Sequence, residues 1–146
     1  MVLLMTGACQ QNRVFEEYQA IDRHRWPYTD TLTYTVPIQD TTTRFNLAVN
    51  LRNKVNYPYR NIWVLVRHRA PSGKVSSVKA EFELAEKNGK WKGNGLGDLY
   101  DHQFPVQEKM KLSETGDHQF QIAHLMRTDT LPGIMNLGLQ VTRPQN

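Results

Sequence analysis

The stretch Phe45-Asn46-Leu47-Ala48-Val49-Asn50-Leu51-Arg52 alternates large apolar residues with polar or small ones. Successive side chains of a β-strand point to opposite faces of the sheet, so the four large apolar residues share one face. This pattern predicts a strand that buries one face and leaves the other to solvent, as antiparallel strands commonly do.

The same period-two alternation recurs along the chain, and no long segment has the 3.6-residue period of an amphipathic helix. It covers residues 32–38, 62–67, 78–84, 106–112, 120–126 and 137–141. A short helix over residues 120–127 competes with the last strand but one. Turn-forming residues, such as Pro71-Ser72-Gly73, separate the runs. The chain is therefore predicted to be all-β, an antiparallel, jelly-roll-like β-sandwich of about seven or eight strands.

Composition and motifs exclude several kinds of function. The chain has 146 residues, of which 39% are hydrophobic and 22% charged, as expected for one globular domain. Its single cysteine rules out an intrachain disulfide and a cysteine-based zinc site, and the five histidines lack metal-ligand spacing. No Gly-x-Ser-x-Gly elbow is present. We predict no enzyme activity, no metal and no cofactor.

The single cysteine, Cys9, lies in a sequence that resembles a bacterial lipoprotein processing site. Small residues, Gly7 and Ala8, precede it, and polar residues follow it. Thr6 stands where such sites usually carry leucine, and the segment before Cys9 is short for a signal peptide. We predict that Cys9 is lipidated and that the lipid attaches the protein to a membrane.

This interpretation divides the chain into three parts. Residues 1–8 are the remnant of a lipoprotein signal peptide, residues 9–13 are a lipidated tether, and residues 14–146 form a single β-sandwich domain. The tether carries no acidic residue close to Cys9.

Two segments depart from the pattern of strands and turns. Residues 89–98 contain four glycines and form a shaped loop, with Trp91 either as a hydrophobic plug or at the surface. Residues 50–61 are rich in Asn, Arg and Tyr, which suits either a self-contained loop or a surface that binds a partner. The candidate partner-binding residues are Arg52, Asn53, Tyr57, Tyr59, Arg60 and Trp91.

Charge is unevenly distributed along the chain, although the net charge is only +4. No acidic residue lies between Asp40 and Glu81, whereas eight Arg and Lys residues do. One surface should therefore be positive, either as an ordinary solvated face or as a site for acidic proteins, anionic lipids or cell-wall polymers. No nucleic-acid-binding motif is present, and nucleic acid is not a predicted partner.

Several segments together resemble the GldH family of gliding-motility lipoproteins from Bacteroidetes. They are Val14-Phe15-Glu16-Glu17-Tyr18, Asn50-Leu51-Arg52-Asn53 followed by Tyr57-Pro58-Tyr59, and Gly89-Lys90-Trp91 followed by Gly93, Gly95, Gly97 and Asp98. The resemblance implies a non-enzymatic envelope lipoprotein associated with motility and type IX secretion. It supplies no catalytic or cofactor residues. In this phylum, lipoproteins sent to the outer face tend to carry acidic residues soon after the cysteine. The tether here carries none, so the resemblance implies an outer-membrane position facing the periplasm.

These observations predict a lipid-anchored adaptor that contacts other envelope proteins, namely motility or secretion-associated lipoproteins. The alternative is a carbohydrate-binding module of the β-sandwich type. Such a module stacks sugar rings on exposed aromatic side chains. The rings available for that purpose are those of Trp26, Trp63, Trp91, Tyr57 and Tyr59.

Overall fold

The computed structural model describes residues 12–144. Within that range the chain forms eleven β-strands and one short 3-10 turn, Asp22–His24. The strands are β1 (Arg13–Ala20), β2 (Arg25–Pro27), β3 (Leu32–Ile38), β4 (Arg44–Lys54), β5 (Asn61–Arg69), β6 (Val75–Glu83), β7 (Asn94–Leu96), β8 (Leu99–Lys111), β9 (Gly116–His124), β10 (Thr130–Pro132) and β11 (Ile134–Thr142). No helix among these residues has the length and apolar character that crossing a membrane would need.

The strands form two main sheets, in which every neighbouring pair is antiparallel. The five-stranded sheet has the order β1-β11-β4-β8-β7, and the four-stranded sheet has the order β3-β9-β5-β6. A small ladder pairs β2 with β10. The predicted all-β antiparallel sandwich is confirmed, with eight strands of seven or more residues and three strands of three residues.

The core lies between the two main sheets, and the opening stretch of sequence contributes to it as predicted. Phe45, Leu47, Val49 and Leu51 of β4 are all buried. Alternate residues of β5 and β9 are buried on the opposing sheet. The Tyr34 hydroxyl donates a 2.6 Å hydrogen bond to the Leu137 carbonyl and so links the two sheets through the interior.

Three local predictions differ from the structure. The helix considered over residues 120–127 is wrong, because β9 continues to His124 and buries alternate residues. The glycine-rich segment is more than a loop, since β7 within it pairs with β8. Residues 13–20 form β1, which shows no clean alternation because it is an edge strand, half exposed along its length. The predicted lipidated tether therefore overlaps the start of β1 at Arg13. Cys9 itself lies outside the described residues.

Candidate functional site

The two unusual segments of the sequence meet at one end of the sandwich. The Val55 amide donates a 3.0 Å hydrogen bond to the Asp98 carbonyl, joining residues 50–61 to residues 89–98. Around this junction lies an aromatic cluster of four rings. Successive ring centroids are 5.8 Å apart for Tyr59 and Tyr57, 6.4 Å for Tyr57 and Trp91, and 5.7 Å for Trp91 and Tyr100.

Two of the candidate partner-binding residues lie in the interior at this junction. Asn53 is fully buried, and its Oδ1 lies 2.7 Å from Nε2 of His102. Tyr57 is 4% exposed and donates a 2.6 Å hydrogen bond to the Asn61 carbonyl. Burial raises the pKa of the Tyr57 phenol, because the charged form would lose its hydration. Both side chains hold the loop, and neither has surface to offer a partner.

The position of Tyr57 also explains why residue 133, which is close to it in space, must be glycine. Gly133 joins β10 to β11 with a φ of +89°, and a Cβ added there would lie 2.8 Å from Cα of Tyr57. The Gly133 carbonyl accepts a 2.8 Å hydrogen bond from the Lys54 amide. Close approach of these two backbones therefore fixes the position of the aromatic cluster.

The other candidate residues reach the surface in different directions. Tyr59 is 41% exposed, Arg60 is exposed, and Trp91 is half-buried against the core. Trp91 therefore acts as the predicted hydrophobic plug with one side of its ring only. Arg52 points away from Asn53, onto the outer face of the five-stranded sheet, where its guanidinium contacts both carboxylate oxygens of Asp101 at 2.5 and 3.0 Å.

This outer face contains a polar cleft, which we call the amide cleft. Its volume is about 380 Å³, within the usual range for small-molecule sites. Its floor is polar because it is formed by the outward-facing residues of each strand. The residues next to them along the strands point the other way, into the core. The side chains that define it are those of Tyr18, Asn50, Arg52, Asp101, Gln103 and Asn136.

The Tyr18 ring lies across the middle of the amide cleft's sheet. Tyr18 belongs to β1, but its hydroxyl lies 3.1 Å from Nδ2 of Asn50 on β4, so the ring passes over the intervening strand β11. It does so at Gly138, where an added Cβ would meet Cδ1 and Cε1 at 2.7 Å and Cγ at 3.2 Å. Because Cγ is nearly as close as the other two atoms, the face of the ring rests on the glycine. Tyr18 is 53% exposed, with its other face towards solvent.

The outer surface of the four-stranded sheet has a different character, and we call it the Trp63 face. Trp63 and Leu125 are 41% and 40% exposed, and the Leu125 amide donates a 2.8 Å hydrogen bond to the Trp63 carbonyl. Basic side chains extend this apolar pair. The residues of the face are Trp63, Leu65, Arg67, Arg69, Lys79, Glu81 and Leu125, and Glu81 lies directly opposite Trp63 on β6.

The aromatic platform that the carbohydrate-binding alternative requires is not assembled from the five rings named for it in the sequence. Trp26 is 1% exposed and Tyr57 4%, so both serve the core. Trp63 lies on the outer face of β5, whereas Tyr59 and Trp91 lie at the end of the sandwich. The carbohydrate-binding alternative is therefore unsupported for that set of residues.

Four histidines lie in or against the interior, each in hydrogen bonds. Nε2 of His124 contacts the Trp26 carbonyl at 3.0 Å, and its Nδ1 accepts from the Met126 amide at 3.2 Å. Nε2 of His68 lies 2.8 Å from Nδ1 of His118. Among residues 12–144, no group of three His, Cys, Asp or Glu side chains could hold a metal ion.

These histidines predict that the fold weakens in mild acid. Burial lowers the pKa of His68, His102 and His124, and the neighbouring His118 adds to the effect at His68. The unfolded chain therefore binds more protons than the folded chain once the pH falls below about 6.5. Stability should be highest above that value and decline towards pH 5, by at most about 1.4 kcal/mol per histidine and pH unit.

Urea unfolding at several pH values between about 8 and 5 measures this effect. Imidazole resonances followed by NMR over the same range would assign it to individual histidines. A free energy of unfolding that is constant or rises as the pH falls would contradict the prediction.

The sequence did not single out most of the amide cleft. Arg52 is the one residue of the cleft among the candidate partner-binding residues. Asn50 enters only through the β4 alternation and the segment of residues 50–61, and Tyr18 only through a family-like segment. Asn50 and Arg52 both alternate with buried residues of β4, and this alternation predicts that they lie on the same outer face. The position of Gly138 beneath Tyr18 depends on the pairing of β1 with β11, which no local pattern specifies.

Comparison with known proteins adds a family and two named relatives. The model of the family described as GldH lipoprotein matches residues 13–141. The gliding motility lipoprotein GldH homolog of Christiangramia forsetii is 28% identical over 151 residues, covering 99% of this chain and 92% of the relative. The gliding motility lipoprotein GldH of Flavobacterium johnsoniae is 28% identical over 148 residues, covering 97% and 91%.

Among solved structures, a carbohydrate-binding module specific for non-crystalline cellulose aligns with a TM-score of 0.47 and 8% identity. The alignment covers 89% of this chain and 73% of that one. A likeness of this strength supports no argument about the present chain.

Proposed function

The chain belongs to the GldH lipoprotein family, and from that premise we propose that it is a non-enzymatic adaptor of the cell envelope. Its relatives are named as gliding motility lipoproteins. In this proposal, lipid on Cys9 holds the protein at the outer membrane, facing the periplasm. The folded domain then binds an acidic surface of another envelope protein of the motility or secretion machinery.

The observation that carries this proposal is the composition of the Trp63 face. Tryptophan and arginine are the residues that contribute most often to the energetic centre of protein interfaces. Here an exposed tryptophan is flanked by apolar Leu65 and Leu125, and Arg67 and Arg69 follow on the same face of β5. Glu81 lies opposite Trp63, so the basic residues Arg67, Arg69 and Lys79 adjoin the apolar centre on one side. Such a face is complementary to an apolar patch that has carboxylates along the matching side.

Two of the predicted partner-binding residues, which lie at the end of the sandwich, extend this surface. Arg60 immediately precedes β5, and its carbonyl accepts hydrogen bonds of 2.7 and 3.1 Å from the amides of Leu84 and Ala85. Its backbone is therefore held in place while its side chain is exposed. We propose Arg60 and Tyr59 as peripheral contacts of the same partner, with half-buried Trp91 as a lesser one. Arg52 is left out of this surface, because it lies on the other sheet and lines the amide cleft.

The proposal predicts the effect of Trp63→Ala combined with Arg67→Glu. In cells, crosslinking followed by mass spectrometry should recover an envelope protein with the wild-type chain. The double variant should recover at least about fivefold less of it, because truncating a central interface residue commonly costs more than 1 kcal/mol. Recovery should also fall at high ionic strength, which screens the arginines.

The matched control is Arg44→Glu. Arg44 is an exposed arginine on the other sheet, with the same change of charge but no place on the Trp63 face. It should leave recovery unchanged, and thermal unfolding should show that all variants remain folded. Equal recovery of the partner by the double variant and the wild type would remove the Trp63 face from the proposed function.

A further inference from the structure

Beyond the adaptor role, we propose that the amide cleft binds an elongated, uncharged saccharide, with one sugar ring stacked on the exposed face of Tyr18. The cleft lies on the five-stranded sheet, and the Trp63 face lies on the four-stranded sheet. The two sites can therefore be tested independently. Four features of the cleft support this choice of ligand.

The first feature is the aromatic platform. The Tyr18 ring is held from below by Gly138 and at its tip by two hydrogen bonds, from Asn50 Nδ2 at 3.1 Å and to Glu16 Oε1 at 2.9 Å. A ring fixed in this way presents one flat apolar face to solvent without losing further conformational freedom on binding. Sugar rings carry C–H groups on their faces, which suit such a surface.

The second feature is the alignment of groups across the sheet. Tyr18 lies opposite Gly138, Gly138 lies opposite Asn50, and Asn50 lies opposite Gln103. This row therefore crosses three strand spacings, roughly 14 Å. It begins with the Tyr18 ring and ends at the Gln103 carboxamide, while Asn50 between them is 7% exposed and donates to the Tyr18 hydroxyl. The length of the row suits an oligosaccharide better than a single sugar.

The third feature is a parallel row two residues further along the strands. Asn136 lies opposite Arg52, and Arg52 lies opposite Asp101. The Asn136 carboxamide offers both donors and an acceptor, and the planar Arg52–Asp101 pair offers both at a fixed spacing. Hydroxyl groups, which also donate and accept, match this mixture.

The fourth feature is charge. Arg52 is paired with Asp101 on both carboxylate oxygens, and Glu16 is paired with Arg13 at 2.6 Å. Each of the charged side chains around the ring thus has an opposite charge beside it, and the cleft has little net charge. An anionic polymer or an acidic peptide would gain little electrostatic attraction here, whereas a neutral polar ligand does not depend on that attraction.

A simpler role exists for the Tyr18–Gly138 contact, because an aromatic side chain over a glycine on the next strand can stabilise strand pairing. That role requires neither the carboxamides nor the paired charges of the cleft. It also predicts a different result, since removing the ring would reduce stability but would affect no ligand. The experiment must therefore record stability and binding together.

The experiment uses the full chain in micelles of a detergent without sugar headgroups. Soluble oligomers of β-linked glucose and of β-linked N-acetylglucosamine are titrated while the Tyr18 ring resonances are followed by NMR. At least one oligomer should bind the wild type and shift those resonances. Tyr18→Ala should weaken its binding at least about tenfold, whereas Tyr18→Phe, which retains the ring, should keep most of the affinity.

Gly138→Ala supplies a second variant, because Tyr18 remains but the new Cβ would lie only 2.7 Å from its ring and must displace it. It should also weaken binding, and Trp63→Ala on the other sheet should not. Failure of both oligomers to bind folded wild-type protein would overturn the proposal. Binding that persists in folded Tyr18→Ala and Gly138→Ala would overturn it equally.

Discussion

Replacing Cys9 by serine is expected to abolish labelling of the protein by a fatty-acid probe and to move it from the detergent phase to the aqueous phase. The serine hydroxyl cannot take the thioether-linked lipid that the cysteine thiol accepts. Each buried methylene group contributes about 0.8 kcal/mol to membrane binding, so two acyl chains anchor a protein stably and their loss releases it. Metabolic labelling followed by detergent phase separation measures both effects.

A matched control changes a neighbouring polar residue in the same way. Gln11→Ser introduces the same side chain close to the predicted processing site but keeps the thiol, and it should remain labelled and membrane-bound. Circular dichroism should show that both variants contain the same amount of β-structure. Continued labelling of the Cys9→Ser protein would disprove the proposed anchor, while the proposed partner and saccharide sites would stand unaffected.

The alternation in β4 shows why the central strands could be predicted. Once Phe45, Leu47, Val49 and Leu51 are buried, a shift of one residue would turn all four to solvent, so the sequence defines the parity strongly. The same parity places Asn53 inside and Arg52 outside. The alternation could have been extended by one residue, and it would then have indicated that Asn53 serves the core.

The short strands could not be found in this way. Three residues, as in β2, β7 and β10, are too few to display a period of two. These strands form because their partners are brought close by the larger sheets. Trp26, for example, enters the core from β2, opposite Leu131 on β10.

The amide cleft depends on pairings between distant parts of the chain. Tyr18 on β1 rests on Gly138 of β11, although the two residues lie near opposite ends of the domain. A lone glycine within an alternating strand is a general sign of close approach by some group, but it does not identify that group. The choice of tyrosine as that group follows from the register of the sheet, which local sequence does not determine.

Trp26→Ala should destabilise the fold by about 3–5 kcal/mol, the usual cost of removing a large aromatic side chain from a core. Trp26 is 1% exposed, its ring lies edge-on to His124 at 5.2 Å, and its indole nitrogen donates a 2.8 Å hydrogen bond to the Asp30 carbonyl. The variant would leave a cavity and an unpaired carbonyl. Urea unfolding gives the change in the free energy of unfolding.

The comparison with Trp63→Ala separates residues that maintain the fold from residues that are available for binding. Trp63 is the same kind of residue but is 41% exposed on a sheet surface, so its removal should cost roughly 1 kcal/mol or less. Equal losses of stability for the two variants would contradict the assignment of Trp26 to the core and of Trp63 to the surface. If the free energy of unfolding falls by several kcal/mol more for Trp26→Ala than for Trp63→Ala, the Trp63→Ala protein remains folded. Its loss of partner binding would then arise from the missing tryptophan contact.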